Sequence, residues 1–307
     1  MRHHGYSRRL QRVLVDFGSE HSFARAVEAV REHYRIEVPS EAIRQQTLRH
    51  GRAISTLPEA NAVAVAATLI TQTDGSMIPI MQPGTGSDAR KGKALSWREV
   101  RLCMARSSDR VQAVYGATLG TAEIAGWLWR EVAGAAGLSQ KTYVHGVGDG
   151  AGWIVDKFNE NFRLQGRYLL DFYHASQYLA DAAGVVARSG KEQAWRRRQQ
   201  GRLLNNEIQK VLRSLEQHVE PAEVKEAPVR TAYNYLSERR DYLDYAGARA
   251  KDLPIGSGEI ESGHRHVIQQ RLKLAGCWWK EVNAQAMLNL RTARANHLWN
   301  QHWSVWN

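Results

Sequence analysis

Two Asp-Gly pairs, Asp74-Gly75 and Asp149-Gly150, each follow an apolar run of strand-like residues. The runs cover residues 62–73 and 141–148. One interpretation of each pair is a hairpin turn, because Asp-Gly is a favoured turn dipeptide. The other is a carboxylate at the carboxyl end of a strand, followed by a glycine that lets a ligand approach the backbone closely. Under both interpretations, the pair marks the end of a predicted strand.

Further apolar runs and amphipathic segments predict the elements around these pairs. Strand candidates cover residues 62–73, 97–105, 111–119, 141–148 and 168–173, with a further short candidate at 77–82, and helix candidates cover residues 121–136, 153–162 and 175–188. Three strands, a helix, a strand, a helix and a strand form the element order of the ribonuclease H-like core. The pattern alone predicts a mixed α/β domain, and the ribonuclease H-like fold whose order it matches is a mixed five-stranded sheet flanked by helices.

The remaining segments are predicted to be helical, so the chain divides into four parts. Residues 1–57 form a helical segment, and residues 58–188 form the first part of the core. Residues 189–250 are polar, basic and helical, which indicates an all-helical insertion. Residues 251–307 supply the final helices of the core.

The amino-terminal segment contains a candidate helix-turn-helix. Residues 22–34 and 41–49 are predicted helices, and Ser40 is a candidate cap of the second one. The second helix carries Arg44 and Gln45, which we expect to contact DNA if the motif is a reader of the double helix. An ordinary helical hairpin is the alternative.

The charge balance favours a polyanionic partner. Lysine and arginine number 42 against 31 acidic residues, which gives a net charge of +11. Nucleic acid fits this excess better than a membrane surface, because no single basic amphipathic helix dominates the sequence. No apolar run approaches the roughly 20 residues that a bilayer span requires. We expect a cytoplasmic, nucleoid-associated protein without a membrane partner.

Two cysteines, Cys103 and Cys277, lie far apart and lack the spacing of metal ligands. They are interpreted as reduced thiols of a cytosolic protein.

A third acidic position follows the glycine-bearing turn at residues 254–258. Glu259 and Glu261 are both candidates, but residues two apart on a helix point about 200° away from each other. Only one of them can therefore face a given site. The structural alternative for Glu261 is an ion pair with Arg265, one turn further on. Ser257 is the candidate cap of this helix.

Three carboxylates suit a divalent metal site. Magnesium prefers hard oxygen ligands in octahedral geometry, and two such ions can serve one phosphoryl transfer. Asp74, Asp149 and either Glu259 or Glu261 are the candidate ligands, with Asp171 and Asp156 as reserves for the second acid. His174 is a candidate for a role near the metals or the scissile phosphate. If residues 168–173 were a regular strand, Asp171 would face away from His174.

Basic residues near these acids are candidate contacts to the DNA backbone, although a run of charges is commonly only a solvated surface. The expected contacts are Arg196, Arg197, Arg198, Arg265, Arg271 and Lys273.

Five sequence blocks together resemble bacterial insertion-sequence transposases of the ISKra type, relatives of the Mutator-like DDE transposases. The resemblance covers roughly residues 65–303, and the blocks occur in the family's order. They lie at residues 73–75, 97–101, 149–154, 171–175 and 254–262, the last followed by residues 271–273 and 276–279. The sequence is shorter than the family at its amino end and has no zinc-binding cysteine cluster there. The source of specificity for the element's ends is therefore not indicated.

The resemblance implies that Asp74, Asp149 and Glu261 are the first, second and third acids. It implies two Mg²⁺ ions, for which Mn²⁺ can substitute, and a helical domain inserted before the Glu261 helix. It also implies that residues 171–174 match the acid-or-cysteine and histidine motif of Mutator-like enzymes.

The function expected from this resemblance is cleavage of transposon ends and their joining to target DNA. Its partner is double-stranded DNA, and assembly as a homodimer or larger complex is expected. Two alternatives stay open at this point: a catalytically silent DNA-binding protein of transposon origin, and a metal-dependent nuclease that never joins strands.

Overall fold

A five-stranded mixed sheet forms the centre of the computed structural model, which describes residues 5–59, 63–82 and 93–304. The strands are β1 (Thr68–Gln82), β2 (Ala94–Ser107), β3 (Val114–Thr118), β4 (Tyr143–Gly148) and β5 (Gly166–Leu170). Their order is β3-β2-β1-β4-β5. The β1–β2 and β2–β3 pairs are antiparallel, whereas β1–β4 and β4–β5 are parallel. The predicted ribonuclease H-like core is confirmed.

The helices precede, flank and follow this sheet. They are α1 (Arg8–Glu20), α2 (Phe23–Tyr34), α3 (Ser40–Ala53), α4 (Ala122–Ala135), α5 (Gly152–Phe162), α6 (Phe172–Val186), α7 (Glu192–Leu204), α8 (Ile208–Glu216), α9 (Pro228–Glu238), α10 (Tyr245–Ala250), α11 (Gly258–Gly263), α12 (Gln270–Leu272), α13 (Glu281–Ala295) and α14 (Trp299–Ser304). A 3₁₀ turn covers Arg240–Tyr242, and a π turn joins α11 to α12 over His264–Gln269. Within the described residues, no helix combines the length and apolar composition needed to cross a bilayer.

β1 is one long strand that runs through the first Asp-Gly pair. Asp74 lies opposite Leu102 of β2, and the pairing continues to the end of β1. The hairpin interpretation of Asp74-Gly75 is therefore wrong, as is the expectation that the strand ends at this pair. Residues 77–82 are the outer half of β1, not a separate strand. Ile78 and Ile80 are buried in the hydrophobic core, and this burial stabilises the outer half of β1.

Alternation along the strands divides the core between the two faces of the sheet. Cys103 and Ala105 pack with the aromatic side chains of α4 and α5 on one face. Leu102 and Met104 pack on the other face, with residues of α11, the π turn, α12 and α13. The segment that carries the third candidate acid therefore covers the second face.

Helices α7 to α10 pack beside α6 around a separate apolar cluster. α7 contains Trp195, Gln199 and Leu203 as its buried residues, and its arginines occupy other faces.

The three amino-terminal helices dock on the carboxyl-terminal ones. α3 packs along α13, and Gly51 allows this because a Cβ atom there would lie 2.3 Å from the backbone oxygen of Ala286. Ser40 is the first residue of α3 and forms no side-chain cap, so that prediction is wrong. Inside this interface, His50 Nδ1 lies 2.9 Å from His302 Nε2.

The free energy of unfolding should fall as the pH drops below neutrality. Burial, with His302 and Arg49 nearby, lowers the pKa of His50 to about 4. The unfolded chain binds this proton near pH 6.5, so between about 6.5 and 4 protonation favours the unfolded state. Urea unfolding at pH 7 and pH 4.5 measures the loss. His50→Gln should flatten the pH dependence and exposed His218→Gln should not; equal slopes in the two variants would contradict this account.

Candidate functional site

Three aspartates lie level with one another at the carboxyl edge of the parallel strands. The last pair of the β1–β4 ladder comes three residues before Asp74 and three before Asp149. The last pair of the β4–β5 ladder comes one residue before Asp149 and one before Asp171. Because these strands are neighbours, the three aspartates belong to one edge of the sheet.

The side chain of Asp74 faces the segment that carries α11. Gln72, two residues earlier on the same face of β1, accepts a 2.9 Å hydrogen bond from Ile260 N. Asp74 Oδ1 accepts a 2.7 Å bond from Gly75 N, and Oδ2 lies 3.1 Å from His264 Nε2. The Asp74 side chain remains 39% exposed, so a ligand from solvent can reach the carboxylate.

Asp149 stands in a tight turn between β4 and α5. Gly150 has φ +76°, and a Cβ atom there would lie 2.6 Å from Leu170 Cδ1, so the turn requires glycine. Asp149 Oδ1 accepts a 2.9 Å bond from Ala151 N. Tyr235 donates its hydroxyl to the Asp149 carbonyl at 2.6 Å, and burial raises the pKa of Tyr235, which keeps the phenol protonated. This second Asp-Gly pair joins a strand to a helix, so the hairpin interpretation is wrong for it as well.

Glu259 and Glu261 point to different surroundings, as their spacing predicts. Glu259 receives two hydrogen bonds from the guanidinium of Arg106, at 2.6 and 2.8 Å. Glu261 is exposed, and its alternative pairing with Arg265 is absent from the ion pairs of the described residues. Glu261 is therefore the acid of this helix that is available to a ligand.

Asp171, His174 and Glu261 approach one another closely enough to hold a metal ion. One potential ligand atom of each lies within 4.8 Å of the others. The expectation that Asp171 faces away from His174 is wrong. β5 ends at Leu170 and Asp171 caps α6, so the strand alternation does not extend to these residues.

The carboxylate of Asp171 is already occupied by hydrogen bonds. Oδ1 accepts from Tyr173 N at 2.6 Å and from His174 N at 3.0 Å. Oδ2 accepts from both the backbone N and the hydroxyl of Ser257, each at 2.5 Å. Four accepted bonds use the roughly four lone-pair positions of a carboxylate, so Asp171 would have to give up a bond to bind a metal. The side chain of Ser257 donates to Asp171 and forms no cap of α11, so the predicted cap is wrong.

The donors at this edge fit a hard divalent cation. Carboxylate oxygens suit Mg²⁺ and Mn²⁺, and an imidazole nitrogen also accepts Mn²⁺. Among the described residues, neither Asp74 nor Asp149 belongs to a three-ligand group as compact as that of Glu261. Two ions about 3.5–4 Å apart need no such single group, because each ion takes its own ligands.

The basic candidates differ in their access to solvent. Arg197, Arg198, Arg265 and Lys273 are exposed, and Arg196 is half-buried. Arg44 and Gln45 both donate to Glu41.

Arg271 is buried, with 1% of its surface exposed, and its guanidinium lies 4.8 Å from the ring centres of both Phe23 and Trp279. It is therefore a packing residue in this structure, and we do not retain it as a DNA contact.

Sequence reasoning missed Gln72 and His264. Nothing in the sequence marks Gln72, because a polar residue in a strand is ordinary. His264 did carry a signal, since it follows Glu261 by three residues and so shares its helix face.

Asp171→Ala should destabilise the fold more than loss of a helix cap alone. Removal of an N-cap costs about 0.5–2 kcal/mol, and the Ser257 N–H left buried and unpaired adds about 1–3 kcal/mol. Asp244→Ala is a matched control, because exposed Asp244 caps α10 through Gly247 N without a comparable buried partner. Urea unfolding of both variants should give the larger loss for Asp171; equal losses would show that the Ser257 contact contributes nothing.

Comparison with known proteins gives one family and a distant structural similarity. No curated protein matches the sequence. Among solved structures, the chain is similar to one described as "Drosophila P element transposase strand transfer complex", with 9% identity and a TM-score of 0.36. The alignment covers 97% of this chain and 80% of that one. The sequence profile described as "Uncharacterised protein family (UPF0236)" matches residues 122–303, more than half of the chain. The chain therefore belongs to this family.

Proposed function

We propose that this protein is a metal-dependent transposase that cleaves DNA at the ends of a mobile element and joins them to a target. The observation that carries the proposal is the arrangement of its acids. Asp74 and Asp149 lie at the carboxyl edge of the parallel strands of a ribonuclease H-like sheet. Glu261 comes from α11, which packs over the face of the sheet on which Asp74 lies. A metal site requires carboxylates from separate elements to lie together, whereas the packing of the core does not.

The access and charge of the site fit a polymeric anion. Asp74 is partly exposed, and Glu261 and His174 are exposed, so the edge is open to a long substrate. The net charge of +11 offsets the repulsion between this acidic edge and a phosphate backbone. Exposed Arg197 and Arg198 on α7 are the proposed backbone contacts.

The protein's own residues would hold and orient the reacting groups. Asp74, Asp149 and Glu261 would hold two Mg²⁺ ions. When bound there, the ions would supply activation of the attacking oxygen and stabilisation of the leaving one in phosphoryl transfer. His174 would lie beside the scissile phosphate. Its position on the first turn of α6 is fixed through the Asp171 cap.

Two successive displacements complete the proposed reaction. Water attacks a phosphodiester at the end of the element, which breaks the P–O3′ bond and frees a 3′ hydroxyl. That hydroxyl then attacks a target phosphodiester, and a target 3′ oxygen leaves as the new P–O bond forms. Because an element has two ends, we expect two copies of the chain to act together.

Asp74→Asn, Asp149→Asn and Glu261→Gln should each lower cleavage of an end duplex by about two orders of magnitude or more, since loss of even an outer-shell partner costs about 10–100-fold. The measurement is a gel assay with Mg²⁺ and duplexes that span the junctions of the element encoding the protein. Asp156→Asn is the matched control, because Asp156 is exposed on α5 and lines a separate cavity with Glu123 and Lys157.

The same assay separates the competing functions when a target plasmid is included. Cleavage with transfer of the labelled strand supports a transposase, and cleavage without transfer indicates a hydrolytic nuclease. Full activity of Glu261→Gln would contradict the assignment of the acids. Specific DNA binding that neither requires metal nor leads to cleavage would indicate a silent DNA-binding protein.

A further inference from the structure

His264 lies at the point where α11 becomes the π turn, one helical turn after Glu261. Its ring is buried, with only 5% of the side chain exposed. Nε2 lies 3.1 Å from Asp74 Oδ2, but neither ring nitrogen forms a hydrogen bond in the described part of the chain. A buried polar atom without a hydrogen bond is unfavourable. At 3.1 Å, the carboxylate of Asp74 is close enough to pair with this ring once the two groups align.

The packing of the preceding residue fixes this approach. A Cβ atom on Gly263 would lie 2.7 Å from the ring of Tyr115 and 3.1 Å from Leu102. Leu102 is the β2 residue directly opposite Asp74 in the β1–β2 ladder. Glycine thus lets the helix descend onto the sheet beside Asp74, and the next side chain, His264, reaches its carboxylate. π turns of this kind are frequent at functional sites.

Other contacts fix α11 on the sheet and fix the carboxylate of Asp74. Gln72 accepts from Ile260 N, which attaches α11 to β1 two residues before Asp74. Gly75 N donates to Asp74 Oδ1, so the two oxygens of this carboxylate have different neighbours. Oδ1 is fixed by the strand's own backbone, and Oδ2 is left to the ring of His264.

We propose that His264 is the positioning residue for Asp74: when the site binds metal, its Nε2–H aligns with Oδ2, donates to it and holds the carboxylate in the orientation that binds metal. This inference rests on the proposed function, since it gives Asp74 a metal to bind. It also accounts for the spacing of Glu261 and His264. The same helical segment supplies one metal ligand, Glu261, and one turn later the hydrogen-bond donor that orients a second ligand, Asp74. Partners that orient metal ligands in this way change metal affinity about 10–100-fold when they are removed.

The test is direct titration of Mn²⁺ by electron paramagnetic resonance, with the protein bound to an end duplex and the duplex alone subtracted. His264→Ala should raise the Mn²⁺ dissociation constant about 10–100-fold. His264→Gln should restore most of the affinity, because its amide N–H can replace the Nε2–H donor. His266→Ala is the matched control, since His266 is exposed on the same π turn.

The outcomes separate this inference from the function on which it rests. Loss in His264→Ala with recovery in His264→Gln supports positioning. Wild-type affinity in His264→Ala overturns the inference alone, provided that Asp74→Asn still abolishes binding. Equal weakening of both His264 variants, with the same fall in melting temperature, shows a packing role and also overturns it. A wild-type complex that binds no more Mn²⁺ than its duplex overturns both proposals.

Discussion

The carboxylate of Asp171 joins the two parts of the chain that form the site. One oxygen caps α6, and the other holds the backbone and hydroxyl of Ser257, immediately before α11. These residues are 86 positions apart in sequence, with the α7–α10 helices between them. Because Glu261 lies on the first turn of the helix that Ser257 begins, its place over the sheet depends on this contact. We propose that Asp171 organises the site through these hydrogen bonds.

Two further polar contacts fix α11 against the sheet. Gln72 attaches it to β1, and the Arg106–Glu259 pair attaches it to β2. The hydrogen bond to Glu259 raises the pKa of Arg106, which is charged in any case, so the pair persists wherever the glutamate is ionised. Contacts to three strands or strand ends orient the helix before any ligand arrives. Such preorganisation lets a site bind metal without first ordering its backbone.

The sequence was sufficient for the order of elements and the opposite orientation of Glu259 and Glu261, because both follow from local periodicity. The sheet type followed only from the match of that order to a known fold. It failed where tertiary pairing or an element boundary decides. Asp74-Gly75 reads as a turn, but continuous pairing with β2 overrides that preference. The orientation of Asp171 depended on whether β5 ends at residue 170, which alternation cannot show. The contact of His264 with Asp74 requires the close packing at Gly263, which appears only in three dimensions.

The most direct test of the central claim is a crystal structure of the protein with an end duplex and Mn²⁺, with the ions located by anomalous scattering. The account requires manganese bound by Asp74, Asp149 and Glu261, with the four hydrogen bonds of Asp171 intact. Manganese held by Asp171, His174 and Glu261, with Asp74 and Asp149 unliganded, would contradict it. So would a fully assembled DNA complex with no ion at the sheet edge.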